Sequence, residues 1–140
     1  MTTVKGTIGF FGAVDTVTGS NFMFEANGKK IMIDCGLFQG DKFSDDRNHE
    51  KFEVDPASVD ILLVTHSHID HIGRIPKFVR EGFKGKIYST PPTHDLAAIM
   101  LLDTVNILAH EAVRDGRPPI YEEGDVKETM KQWEVHEYYQ

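Results

Sequence analysis

An α/β (α+β) fold is predicted from three observations. A hairpin signal lies near the start, a continuous apolar run occupies residues 61–64, and a strand, helix, strand succession follows it. Residues 7–11, 21–25 and 30–34 are apolar and β-prone, with Ala26-Asn27-Gly28-Lys29 between the last two. Asn27-Gly28 is a strong turn signal, because both central positions of the favoured two-residue turn need positive φ, so residues 21–34 read as a hairpin. Residues 40–56 are polar, charged and aperiodic, which fits a surface loop with room for a short helical turn. Ile61-Leu62-Leu63-Val64 then reads as a central strand buried on both faces. Residues 73–81 suit a short helix closed by Gly82 and Gly85, and residues 86–89 a second short strand.

After Pro91-Pro92, Thr93 is expected to cap a long helix running to about Arg114. Leu96, Ala97, Met100, Leu101, Val105, Leu108 and Ala112 form its apolar face, and Asp103, Asn106, His110 and Arg114 its polar stripe. Residues 116–119 break that helix, residues 122–132 suggest another, and residues 134–139 alternate like a strand. No internal repeat, low-complexity tract or interdomain linker is evident.

With 140 residues, 40% hydrophobic and 26% charged, the composition is that of one globular domain. No uninterrupted apolar run approaches the roughly 20 residues of a membrane span, and the first residues lack a secretory layout, so a cytoplasmic protein without membrane contact is expected. The single cysteine, Cys35, excludes an internal disulfide and reads as a buried strand-end thiol. A net charge of −7 argues against binding nucleic acid by bulk electrostatics. The charge is uneven: acid gathers in residues 41–60 and 122–137, while Arg74, Lys77, Arg80, Lys84 and Lys86 form a basic run opposed only by Glu81. The ordinary reading of such a run is a solvated helix face. Its position makes Arg74, Lys77 and Arg80 candidate contacts to a nucleic-acid backbone.

Three of the chain's seven histidines, with an aspartate, fall within six residues: His66, His68, Asp70 and His71. At the end of a strand, His66 and His68 are expected to point the same way and form a two-point metal clamp. Asp70 and His71 follow as the chain turns toward a helix, within reach of a second ion. Zinc takes nitrogen and oxygen ligands and keeps an open position in catalytic sites, whereas structural zinc sites favour cysteine, and none is near. Asp34, in Ile33-Asp34-Cys35-Gly36, is a candidate acceptor for a ring N–H of a ligand histidine.

Residues 65–73, Thr-His-Ser-His-Ile-Asp-His-Ile-Gly, resemble the signature of the metallo-β-lactamase superfamily. Residues 12–20, Gly-Ala-Val-Asp-Thr-Val-Thr-Gly-Ser, and 34–40, Asp-Cys-Gly-Leu-Phe-Gln-Gly, resemble its β-CASP branch, whose members process RNA or, less often, DNA. The similarity extends through Gly73-Arg74-Ile75-Pro76, Gly82-Phe83, Gly85, Ile87-Tyr88, Thr93, Asp95-Leu96 and Ile120-Tyr121. It implies an αββα sandwich with His66 and His68 on one zinc, Asp70 and His71 on the other, and Asp34, joined by Thr65, behind the ligands. The family's further histidines and bridging aspartate have no counterpart after His71: His94, His110 and His136 lack the expected surroundings. Residues 1–140 are therefore expected to be the N-terminal portion of the domain, about half of the sandwich, without its C-terminal half and the inserted β-CASP domain.

The expected activity of the parent protein is zinc-dependent phosphodiester hydrolysis on RNA, as a ribonuclease with two zinc ions. No general acid is assignable in this chain, and the chain alone is expected to be inactive. Two alternatives stand beside it: hydrolysis of a small ester or thioester on the same fold, and a non-catalytic metal-binding or assembly module that self-associates through uncovered apolar surface.

Overall fold

The computed structural model describes residues 5–40 and 42–139. Strands β1 (Gly6–Gly12), β2 (Asn21–Ala26), β3 (Lys29–Ile33), β4 (Ile61–Leu63), β5 (Lys86–Ser89) and β6 (Trp133–Val135) form one sheet in chain order. The first three are antiparallel and the rest parallel. The connections explain the change. Asn27 and Gly28 take φ of 52° and 72° and join β2 to β3 by a tight turn, whereas parallel neighbours need long crossovers. These are α1 (Lys42–His49) with a 3-10 turn at Pro56–Ser58, then α2 (Ile69–Ile72) and α3 (Ile75–Arg80), then α4 (Pro91–Asp115) and α5 (Glu123–Lys131). The segment expected as a loop thus holds an eight-residue helix.

In-register pairing puts Met23, Met32, Leu62, Ile87 and Trp133 in one row across the sheet. All five are buried, in one core with Ile72, Ile75, Phe78, Phe83, Ala97, Leu101 and Val126 from the helical side. The opposite face is also apolar. Phe10, Phe22, Ile33, Leu63 and Tyr88 form one row, and Ile8, Phe24, Ile31 and Ile61 another. Nothing among the described residues covers it, and Phe10 is 62% and Leu63 39% exposed. The expectation that β4 is buried on both faces is therefore corrected: helices pack on one face only.

One further boundary differs from expectation. Helix α4 begins at Pro91, not after a Thr93 cap, with two prolines in the first turn, where a missing N–H costs nothing. Thr93 is instead buried, 3.0 Å from the Thr90 hydroxyl. The helix ends at Gly116, which takes φ 65° and caps Ala112. By length and composition α4 could cross a membrane. Here it lies against α2, α5 and β6, burying Ala97, Leu101, Thr104 and Leu108, while Leu96 and Met100 of the expected apolar face stay exposed.

Candidate metal centre

β4 stops at Leu63, so His66 and His68 sit in a loop, and Asp70 and His71 lie on α2. Strand alternation therefore does not orient the two loop histidines. The loop itself does: Val64 N–H donates to Tyr88 O at 2.9 Å at its start, and the His71 and Ile72 N–H groups donate to His68 O at its end. The imidazole centroid of His66 lies 4.6 Å from that of His68 and 4.0 Å from that of His71. His71 Nε2 is 3.7 Å from Asp70 Oδ2. All four side chains are at least partly open to solvent.

Behind them sits Asp34, buried, with φ 58° just past the end of β3. Its Oδ1 accepts from Thr65 N at 2.8 Å. Its Oδ2 accepts from the Thr65 hydroxyl at 2.8 Å, His71 Nδ1 at 2.7 Å and the Ser20 hydroxyl at 3.3 Å. A carboxylate that accepts from its other partners accepts here too, so a neutral His71 ring donates from Nδ1 and keeps Nε2 free for a metal. The Thr65 hydroxyl gives its one proton to Asp34 and is 3.0 Å from His66 Nδ1. It can only accept there, which leaves Nε2 of His66 bare as well. Burial, then the neighbouring His71 and His68, push the His66 pKa below its ordinary value, toward the neutral form a metal needs.

A backbone seam holds this arrangement. Ser20 N–H donates to Asp70 O, Cys35 N–H to His71 O and Leu37 N–H to Ile69 O, at 2.8 to 3.0 Å. Gly36 is required here, because a Cβ on it would stand 1.5 Å from the Asp70 carbonyl oxygen. Asn21 Nδ2 donates to Asp34 O at 2.9 Å. Sequence reasoning missed the roles of Ser20, Asn21 and Gly36. Ser20 and Gly36 lie inside the two loop motifs; Asn21 had no signal beyond opening β2.

A family model described as the metallo-beta-lactamase superfamily matches residues 14–136. The chain belongs to this superfamily. Its members bind metal ions, typically zinc. Relatives include ribonuclease TTHA0252 of Thermus thermophilus, 39% identical over 128 residues that make up 91% of this chain and 27% of that protein. Transcription termination factor FttA of Methanosarcina mazei is 34% identical, over 86% of this chain and 18% of that protein. Cleavage and polyadenylation specificity factor subunit 3-I of Arabidopsis thaliana is 32% identical, over 92% and 18%. The chain thus spans about a quarter or less of each relative. These relatives accord with the β-CASP resemblance of the loop motifs. Among solved structures, the metallo-beta-lactamase fold protein YhfI of Bacillus subtilis aligns with TM-score 0.45 and 18% identity over 71% of this chain and 41% of that one.

Within this superfamily member, the donor set of imidazoles and a carboxylate suits zinc. Among the described residues, no group of three or more His, Cys, Asp or Glu side chains is arranged to hold an ion. The short approaches within the cluster are those of His66 to His68 and to His71, and of His71 to Asp70. His94 pairs with Asp95 at 2.9 Å, His136 lies 5.1 Å from the Tyr88 ring, and His110 is exposed on α4. None of these three is among the partners of the cluster.

The basic run divides. Arg74 is 6% and Lys77 3% exposed. Arg74 Nε donates to Gly36 O at 2.6 Å, and Lys77 Nζ donates to Glu50 O and pairs with Glu81. Both are corrected as candidate phosphate contacts: their charged ends face inward because the helix carrying them packs on the core. Arg80 is exposed and lies 3.5 Å from Asp125, and Lys84 is exposed.

Proposed function

We propose that residues 66–71 are the zinc-binding half-site of a phosphodiesterase acting on RNA. The observation that carries this reading is the clustering of His66, His68, Asp70 and His71 in front of a buried Asp34 bonded to His71 Nδ1. His66 and His68 would hold one ion, and Asp70 and His71 a second. Zinc ions in such sites supply Lewis acidity and activate water for attack on a phosphodiester. The chain's own part is positional. Asp34 and Thr65 fix the tautomers of His71 and His66, and the seam through Gly36 fixes the backbone that carries Asp70 and His71. RNA is favoured over a small ester or thioester because the relatives bear the names of a ribonuclease, a transcription termination factor and a cleavage and polyadenylation factor.

Among the described residues no three of these side chains are arranged to hold an ion, and a whole apolar sheet face stands open. Both features support reading residues 1–140 as one portion of an αββα domain whose second β layer covers that face and supplies the other ligands. The test is cleavage of labelled RNA by the protein carrying the whole domain, beside a thioester panel. RNA cleavage that a chelator suppresses and zinc restores is expected. Thioester turnover without RNA cleavage would overturn the reading.

A further inference from the structure

A guanidinium removed from water needs a carboxylate, or acceptors and ring faces that replace its hydration. Arg74 makes no ion pair among the described residues. Its carbon centre lies 4.4 Å from the Phe38 ring centroid and 5.3 Å from that of Phe52. The stack extends on both sides: Arg47 lies 3.9 Å over Phe38, and Lys77 Nζ 4.3 Å over Phe52. Cations and rings thus alternate as Arg47, Phe38, Arg74, Phe52 and Lys77, and ring faces take the place of a counter-ion. Burial holds the Arg74 pKa below its usual value.

The same side chain grips the backbone at one place. Arg74 Nε donates to Gly36 O at 2.6 Å, and Arg74 N–H donates to Cys35 O at 2.9 Å. Two successive carbonyls before the Phe38 ring are therefore held by one residue, the third after His71. Gly36 is also the residue with no clearance against Asp70, and its neighbours Cys35 and Leu37 donate to His71 O and Ile69 O. A displacement of Gly36 must carry Asp70 and His71 with it. A lysine could keep the charge but not the directed Nε–H and the planar stack together.

We infer that Arg74 is a positioning residue for the metal-ligand loop, acting through the Gly36 carbonyl; this rests on the reading of residues 66–71 as a zinc site. It is tested on the 140-residue chain by zinc affinity in competition with a chromophoric chelator, well below each variant's melting point. Arg74→Met and Arg74→Lys should both weaken zinc binding about tenfold, the scale of losing a group that orients a ligand. Arg47→Met, which strips a guanidinium from the same Phe38 ring without touching Gly36, should lower the melting temperature and leave zinc affinity unchanged. Phe52→Leu loosens the stack but keeps the Nε bond, and should weaken zinc binding by a smaller factor. It decides the matter if the Arg74 variants do not fold. Unchanged affinity in the folded Arg74 variants, or in Phe52→Leu should they not fold, would overturn the inference, as would equal weakening by Arg47→Met. If the wild-type chain binds no zinc, or His68→Ala binds it equally well, the zinc-site reading falls and this inference with it.

Discussion

Asp34→Asn changes the charge and hydrogen bonding at the centre of the site while keeping the side chain's shape. Asparagine has nearly the same shape and accepts positive φ at least as readily as aspartate, so φ 58° adds no strain. The carboxylate receives four donors: Thr65 N and the Thr65 hydroxyl at 2.8 Å, His71 Nδ1 at 2.7 Å and the Ser20 hydroxyl at 3.3 Å. An amide must aim its NH2 at one of the two oxygen positions. The less costly choice keeps oxygen at Oδ2, which serves three donors, and sets NH2 against the Thr65 N–H. Leaving a buried N–H unpaired costs about 1–3 kcal/mol, and turning three charge-assisted bonds into neutral ones removes up to about 1 kcal/mol each. Thr65 is exposed and the bonds share one group, so the expected loss is about 3–4 kcal/mol, a large part of a typical domain's stability. Urea unfolding with excess chelator, followed by circular dichroism and Trp133 fluorescence, measures it. A loss under about 1 kcal/mol would refute the assignment of Asp34 as the acceptor that organises the cluster.

Gly36→Ala should be worse, since the new Cβ would meet the Asp70 carbonyl oxygen at 1.5 Å; a thermal melt within a few degrees of wild type would show that the seam is slack. Cys35 is fully buried and its pKa is pushed up to about 12 by burial, so alkylation should proceed only through unfolding; rapid labelling of the native chain would contradict this. A thiol whose folded pKa is raised stabilises the fold below its ordinary value of 9.0, and that contribution should fade as pH rises from there toward about 12. The open sheet face should make the isolated chain self-associate, and Phe10→Lys with Leu63→Lys should shift it to monomer in light scattering; a monomeric wild type would contradict this. In the protein carrying the whole domain, Asp70→Asn or His68→Ala should abolish RNA cleavage with folding intact, and wild-type turnover at confirmed metal content would sink the ligand assignment.

What the sequence made legible were features with short-range physical causes. Asn27-Gly28 announced a hairpin because two positive φ values are a local demand, and Ile61 to Val64 announced a strand because four adjacent apolar residues have few other uses. The spacing of His66, His68, Asp70 and His71 was legible as chemistry, although the reason given for it, strand alternation, did not hold: β4 is one residue shorter than the apolar run. What was not legible depended on long-range packing. Lys77 reads as a solvated charge until α3 is placed on the core, where its ammonium meets the Glu50 carbonyl from 27 residues away. Leu63 reads as buried until the sheet is seen to carry helices on one face alone. Gly36 reads as a turn glycine until Asp70 arrives against it. For Lys77 and Gly36 the deciding partner lies far along the chain, and for Leu63 the deciding fact is which face the distant helices cover, beyond what periodicity and composition encode.

The claim that residues 66–71 hold zinc is tested most directly by anomalous diffraction at the zinc edge from zinc-soaked crystals of this chain. The expected result is a peak about 2.0–2.2 Å from Nε2 of two of His66, His68 and His71, or from one of them and an Asp70 oxygen. His71 Nδ1 should still be bonded to Asp34. A peak bound only elsewhere on the chain, or none at this cluster under saturating zinc, would contradict the account.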